Sequence, residues 1–502
     1  MKQKHVLLLS AILTLCLTAC NNNQPSSKNQ DKSADGGNSA PSSEPAQTPF
    51  VEPTMELEFQ SIEDNCMVPS YVKDYVDQMH EQEAKITYPH RVSNLNCNMD
   101  WQTAANQSDH ADGTVYDDDH SGGVDVCQIL NRNMKYENKP IELKWDTDCS
   151  DGKVAFWSKQ DKSDLREVFV ESDGVSAKLP NLFRNTKYYY QVIDGDQASQ
   201  MKNFVTGDYT RMITAGDISN MRDMGGYMTS YGVRTNQGLI YRGGEMAVEA
   251  FTDGANRHSK NWSDAVQEVQ KDVLNIGLEL DLRTKSGSGN MTESPLEFDG
   301  EWNFPDAYPN KTADNANGRA QYVRSAINSF DGLLTDPNRS GESDNANRNL
   351  VKEIFEYLAN ADQQHVYFHC WGGADRTGVT GFLLNAILGV SYTDAIIDFE
   401  LTTLTNNARC HMHNSSSAHM PKFLNLFVGY DSATKQEGVK SISFVNGDYT
   451  YDPEKTLNQN ATALLLCMGV EEETIEQIRS IMLPGYAEGK LEENEMINKG
   501  WQ

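Results

Sequence analysis

One feature constrains this chain more than any other: a strand-like run that ends in a glycine-bearing loop and passes straight into a helix-like run. Residues 365–389 read HVYFHCWGGADRTGVTGFLLNAILG. The same alternation recurs from about residue 207 onward. GLIYRG is followed by WSDAVQEVQKDVLNIG and LELDLRT, and NRNLVKEIFEYLANADQQ leads into HVYFHC. Strands alternating with helices predict an α/β layer with a central, mainly parallel sheet. Sites in such sheets lie at the carboxyl ends of the strands. The Asn/Asp-rich segment 310–348 reads as an inserted loop or lid.

The chain before residue 207 has a different character. Residues 1–20 place Lys2 and Lys4 ahead of an apolar stretch too short to span a bilayer, which is the pattern of an export signal. The stretch closes on Leu17-Thr18-Ala19-Cys20, which resembles the bacterial lipoprotein processing box. That resemblance implies lipid on Cys20 and an extracytoplasmic, membrane-anchored protein. Residues 21–50 hold almost nothing apolar and read as a disordered tether. Residues 51–123 contain one candidate helix, PSYVKDYVDQMHEQEAK, and an Asp-rich run. The run lacks the ligand spacing of a calcium loop and reads as a solvated loop.

Residues 124–206 carry short aromatic and β-branched runs (PIELKWD, KVAFWSKQ, EVFVES, SAKLPNL, KYYYQVI, MKNFVTG) separated by polar turns. That spacing predicts a small all-β sandwich. LPNLFRNTKYYYQV resembles a fibronectin type III domain, in which a leucine and then a tyrosine near the start of a late strand make a buried tyrosine corner.

A formal charge of −29 over 502 residues excludes nucleic acid or an anionic membrane surface as the main partner. Any phosphate site must therefore be a local positive pocket. Setting aside Cys16 and Cys20, the cysteines are Cys66, Cys97, Cys127, Cys149, Cys370, Cys410 and Cys467. The total is odd, so a free Cys370 leaves an even set in a compartment that permits disulfides. Cys66/Cys97 and Cys127/Cys149 are the first pairs to consider, and Cys467, inside ATALLLCMGV, reads as a buried helical thiol.

Within residues 365–389 the strand ends at Cys370 and the loop Trp371, Gly372, Gly373, Ala374, Asp375 leads into a helix that starts near Arg376. Backbone amides of such a loop converge on one point, and the helix N-terminus adds about half a positive charge there. The field that attracts an anion also favours the thiolate, the nucleophilic form of cysteine. Arg376 supplies a planar fork for two oxygens of a phosphoryl group. Thr377 can hydrogen-bond the sulfur when it leaves, and His369 holds the loop and helps set the acidity of the thiol. This chemistry needs no metal or other cofactor.

Cys, five residues, Arg, then Thr-Gly is the signature of cysteine-dependent phosphatases, and Cys370 to Gly378 fits it. The loop resembles the bacterial tyrosine-phosphatase family that reads His-Cys-x-x-Gly-Lys-Asp-Arg-Thr-Gly. NMRDMGGY (220–227), GLIYRGGEM (238–246), LELDLRT (278–284) and DAIIDFELTT (394–403) also look like segments of that family. The resemblance spans roughly residues 211–405. Where the family has lysine this chain has Ala374, which weakens a polyphosphoinositide reading and leaves the Cys/Arg chemistry intact.

The leaving group needs a proton, and two acids compete to give it. Asp375 matches the general acid of Asp-Arg-Thr loops. Asp306 in EWNFPDAYP resembles the Trp-Pro-Asp loop of eukaryotic tyrosine phosphatases, yet it lies 64 positions before Cys370, and Pro-Asp is a common turn. Arg222, Asp223, Arg242, Asp281 and Arg283 read as braces of a βα core, the alternative being that one arginine rims the pocket.

The expectation is a multidomain chain, with a fibronectin type III-like sandwich over 124–206 and an α/β cysteine-phosphatase domain over 207–502. Its substrate would be a phosphorylated protein or a small phosphate ester, phosphotyrosine first. The alternatives are an inositol-phosphate (phytase-like) or dual-specificity phosphatase, and a non-enzymatic surface protein that binds through the sandwich.

Overall fold

The computed structural model describes residues 52–85, 139–246 apart from 217, 266, 269–283, 296, 320–327 apart from 326, 348–404, and 419–494 apart from 432, 435 and 445. The signal and Cys20, the tether, the Asp-rich run, Cys97, Cys127, Cys410 and Asp306 lie outside these residues.

Helix α1 (Ser70–Lys85) precedes seven strands, six of which fall in the predicted runs while the two-residue β6 does not. These are β1 (Ile141–Lys144), β2 (Lys153–Trp157), β3 (Arg166–Phe169), β4 (Ser176–Leu179), β5 (Lys187–Asp194), β6 (Gln197–Ala198) and β7 (Lys202–Val205). β1 pairs with β4, while β2 lies between β3 and β5, and β6 and β7 pair with β5. The alternation that sequence implies is realised in β5, whose Tyr188, Tyr190 and Val192 enter a core with Trp145, Phe156 and Leu179. The Tyr188 hydroxyl accepts the Phe183 amide at 3.0 Å, a corner contact at the start of the strand.

Residues 55–67, whose role was not legible, complete this core. Phe59 bridges Trp145 and Met55 bridges Ser199, and Leu57 and Met67 are buried between the sheets. α1 then crosses to the second half of the chain.

There the sheet comprises β8 (Arg222–Asp223), β9 (Ile240–Gly243), β10 (Ile276–Asp281), β11 (Gln321–Arg324) and β12 (His365–His369), in the order β11-β10-β12-β9-β8. β11, β10, β12 and β9 pair in parallel, and β8 runs antiparallel to β9. The segment read as a loop or lid therefore contains the edge strand β11. Its four-residue QYVR is too short to stand out from polar surroundings, and it is recognised by pairing with Leu278 to Asp281 rather than by periodicity.

Helices α2 (Arg348–Leu358), α3 (Asp375–Ile387), α4 (Tyr392–Leu404) and α5 (His419–Phe427) follow, then the hairpin β13 (Ser441–Phe444) and β14 (Gly447–Thr450), then α6 (Leu457–Cys467) and α7 (Glu472–Met482). Thr456 opens α6 with a reciprocal cap, its hydroxyl accepting the Gln459 amide while the Gln459 side chain accepts the Thr456 amide. Cys467 at the end of α6 is half-buried rather than buried, since the side chain lies toward the rim of the core.

Successive residues of the parallel strands point to opposite faces. Ile240, Leu280, Val366 and Phe368 join the core under the helices, and Tyr241 and Tyr367 join Met221 and Leu274 on the other side, as does Ile276, which a register irregularity separates from Leu278. Such strands are buried along their whole length because both faces are covered. Their carboxyl ends bring residues 243, 281 and 369 to one edge.

Candidate active site

Cys370 lies just past the end of central strand β12, 4% exposed, and the loop to α3 begins there. Outer donors hold three successive carbonyls of that loop. The Glu245 amide donates to Trp371 O at 2.9 Å, Asn220 Nδ2 to Gly372 O at 2.9 Å and to Gly373 O at 3.2 Å, and Arg242 Nη2 to Gly373 O at 2.8 Å. A planar trans peptide points its N–H opposite its C=O. The amides of Gly372, Gly373 and Ala374 are therefore turned away from those donors, to the inside of the loop. Gly373 has φ +68°, and a Cβ there would meet Gly243 O at 2.3 Å, so only glycine fits this turn.

α3 starts at Asp375 with Ala374 as its N-cap, a residue with no side-chain oxygen to cap the first turn. Asp375 is partly exposed at that end. Arg376 rests Nη1 on Leu282 O at 3.2 Å. Among the described residues its Nε and Nη2 make no hydrogen bond, which leaves one edge of the fork for a ligand. The Thr377 hydroxyl is buried and has no hydrogen-bond partner among the described residues.

Behind the loop, His369 is fully buried. Nε2 lies 2.9 Å from Glu279 Oε1, Nδ1 lies 3.0 Å from Cys370 O, and the ring stacks on Tyr367. Burial works against its charged form, but the carboxylates of Asp281 and Glu279 outweigh it and hold His369 above the usual histidine range.

Beside it Arg283 is buried against Asp281 at 2.9 Å and Glu245 at 2.6 Å, and lies over the Trp371 ring. Tyr322 donates to Asp281 at 2.7 Å. Burial pushes Glu245 up to about 7 against the pull of Arg283. An acid raised in the folded state contributes stability that is fully present below its unfolded value near 4.5 and is lost as pH rises through about 7. Denaturation at pH 5 and pH 8 should therefore show a loss on the order of 3 kcal/mol from this group, absent from Glu245→Gln. Equal pH slopes in the two proteins would contradict this.

Arg222, Arg242 and Asp223 are braces, as expected. Asp398 of α4 accepts Arg222 Nε at 2.8 Å and Arg242 Nη1 at 2.5 Å, and Asp223 accepts Arg211 at 2.7 Å and the amides of Gly225 and Gly238. Arg211 also donates to Asn181 O, which ties the sandwich to this motif. The structure thus brings together His369, Cys370, the 371–375 loop, Arg376 and Thr377. Asn220, Glu245, Glu279 and Asp398 join them without having been singled out. One signal was available: Asp398, between Ile397 and Phe399 in a helix with apolar flanks, is a charge that has to find a buried partner.

Parts of the chain align with solved structures. The core catalytic domain of the PP-IP phosphatase SIW14 from S. cerevisiae, solved in complex with citrate, aligns at 13% identity over 42% of this chain and 88% of its own, with a TM-score of 0.22. A computationally redesigned β-sandwich protein aligns at 29% identity over 14% of this chain and 81% of its own, with a TM-score of 0.12. No curated protein matches the chain. A family-wide match covers residues 213–483, more than half of the chain, and takes in Asn220, Arg242, Cys370, Arg376 and Asp398. The chain belongs to the tyrosine phosphatase family.

Proposed function

We propose that this protein hydrolyses phosphomonoesters through a phosphocysteine on Cys370, with phosphotyrosine in a protein as its first substrate. The observation that carries the reading is the loop itself. Three carbonyls are held outward around a cysteine at the end of the central strand, with the Arg376 fork presenting a free edge among the described residues.

In the first step the Cys370 thiolate forms an S–P bond as the P–O bond to the leaving oxygen breaks, and Asp375 gives that oxygen its proton. The inward amides and Arg376 hold the three non-bridging oxygens. In the second step water attacks phosphorus, the S–P bond breaks, and Asp375 takes the proton from water. The buried Thr377 hydroxyl, which has no hydrogen-bond partner among the described residues, donates to the departing sulfur. Ala374 leaves the rim without a cation at that position, which favours a substrate with one phosphoryl group.

Asp375→Asn should slow phosphotyrosine by about 10²-fold or more, and activated aryl phosphates far less, because their leaving groups need little protonation. Measuring kcat across a series of aryl phosphates checks this. A uniform drop, which leaves the slope on leaving-group pKa unchanged, would remove Asp375 from the acid role and transfer that role to another acid. Phosphate release from phosphotyrosine peptides, phosphoserine peptides and inositol hexakisphosphate, compared at equal enzyme, tests the substrate class. Faster release from the inositol ester would overturn the protein-substrate reading.

A further inference from the structure

Arg242 is fully buried beneath α3, behind the loop rather than at its rim. Its guanidinium spans two partners, with Nη1 on Asp398 Oδ2 at 2.5 Å and Nη2 on Gly373 O at 2.8 Å. Asp398 is held in turn by Arg222, whose Nε reaches Oδ1 at 2.8 Å and whose Nη2 reaches the Asp398 carbonyl at 2.6 Å, and by the Tyr227 hydroxyl at 3.3 Å. Arg222 also donates to Asn220 O at 3.0 Å, and Asn220 Nδ2 returns to Gly372 O and Gly373 O. Two guanidiniums face one carboxylate in this network.

The sequence of α3 makes room for this. A Cβ at Gly381 would sit 2.8 Å from Arg242 Nη1, and one at Gly378 would sit 2.5 Å from Phe399 and 3.5 Å from Arg242 Nη2. Glycine is unfavourable in a helix interior, yet two of them stand one turn apart where the guanidinium passes beneath. A lysine could not replace the arginine, because a point charge on one stem cannot hold a carboxylate and a carbonyl in different directions.

We propose that Arg242 and Asp398 are positioning residues of the phosphatase reaction: they hold the Gly373 carbonyl outward, so that the Ala374 amide faces the phosphoryl group, and they place uncompensated positive charge behind it. This rests on the reading of the Cys370 loop as the phosphate site. A role in core bracing alone would cost stability and leave oxyanion affinity alone.

The test uses tungstate as the probe, with its dissociation constant measured by calorimetry on the full chain well below each variant's melting temperature. Arg242→Lys should weaken tungstate at least tenfold and lower kcat about 10²-fold, the scale of losing one preorganised donor. Gly381→Ala removes no charge and favours the helix, but its methyl meets Nη1 and displaces the guanidinium. It should weaken tungstate severalfold, and although displacing a buried guanidinium also lowers the melting temperature, the affinity is read on folded protein, so this variant decides the matter if Arg242→Lys does not fold. Wild-type tungstate affinity and kcat in folded Arg242→Lys, or in Gly381→Ala, would overturn the proposal. A wild-type protein that neither binds tungstate nor releases phosphate would instead bring down the phosphatase reading itself.

Discussion

Cys370→Ser is expected to lose about 10⁴-fold or more in turnover while binding tungstate within a few-fold of wild type. The two effects separate because different atoms carry them. In this reading the nucleophile is one sulfur, and a serine hydroxyl in its place stays protonated at neutral pH and is a far weaker nucleophile than a thiolate. On the same reading the anion site is made by the inward amides of residues 372–374, the start of α3 and Arg376, none of which the substitution touches. Steady-state hydrolysis of an aryl phosphate and calorimetric titration read the two quantities independently. Turnover near wild type would remove Cys370 from the reaction, and loss of oxyanion binding would mean that the loop depends on the thiol for its shape.

Arg376→Lys should lower kcat/KM by about 10²- to 10⁴-fold. One arm of the guanidinium is already committed to Leu282 O at 3.2 Å and lies 3.5 Å from Ile327 O, which leaves Nε and Nη2 for a phosphoryl group. Charge spreads over the phosphoryl oxygens in the transition state, and two parallel N–H donors meet it better than one ammonium. A lysine could satisfy the Leu282 carbonyl or the phosphoryl group, but not both. Because Arg376 is only half-buried, the melting temperature should move little. A loss under tenfold would make the arginine dispensable.

The parts of this site that sequence reveals are those contiguous in the chain. His369 to Gly378 lies in one strand–loop–helix unit, so the identity and order of its residues already encode its geometry. The braces are different. Arg222 meets Asp398 across 176 positions and Arg242 meets it across 156. NMRDMGGY, GLIYRGGEM and DAIIDFELTT are recognisable as family segments, but nothing in their spacing says which arginine holds the loop. Glu279 illustrates the limit further: in LELDLRT it alternates like any exposed strand residue, yet both faces of the sheet are covered and its carboxylate ends on His369. β11 was missed because short edge strands carry little pattern. Residues 55–67 were missed because their burial depends on Trp145 and the sheets they close. The role of α1 was likewise decided by tertiary contact, with Tyr75 donating to the buried Glu400 of α4.

The central claim is a phosphoryl group carried on one sulfur, and the most direct measurement is a rapid denaturing quench during turnover of a ³²P-labelled phosphotyrosine peptide, run on wild type and Cys370→Ser side by side. The account predicts label on the wild-type peptide that contains Cys370, appearing before inorganic phosphate and decaying as phosphate accumulates, with none on the variant. Phosphate released by the wild type with no label on Cys370 at any time, or label on another residue, would contradict it.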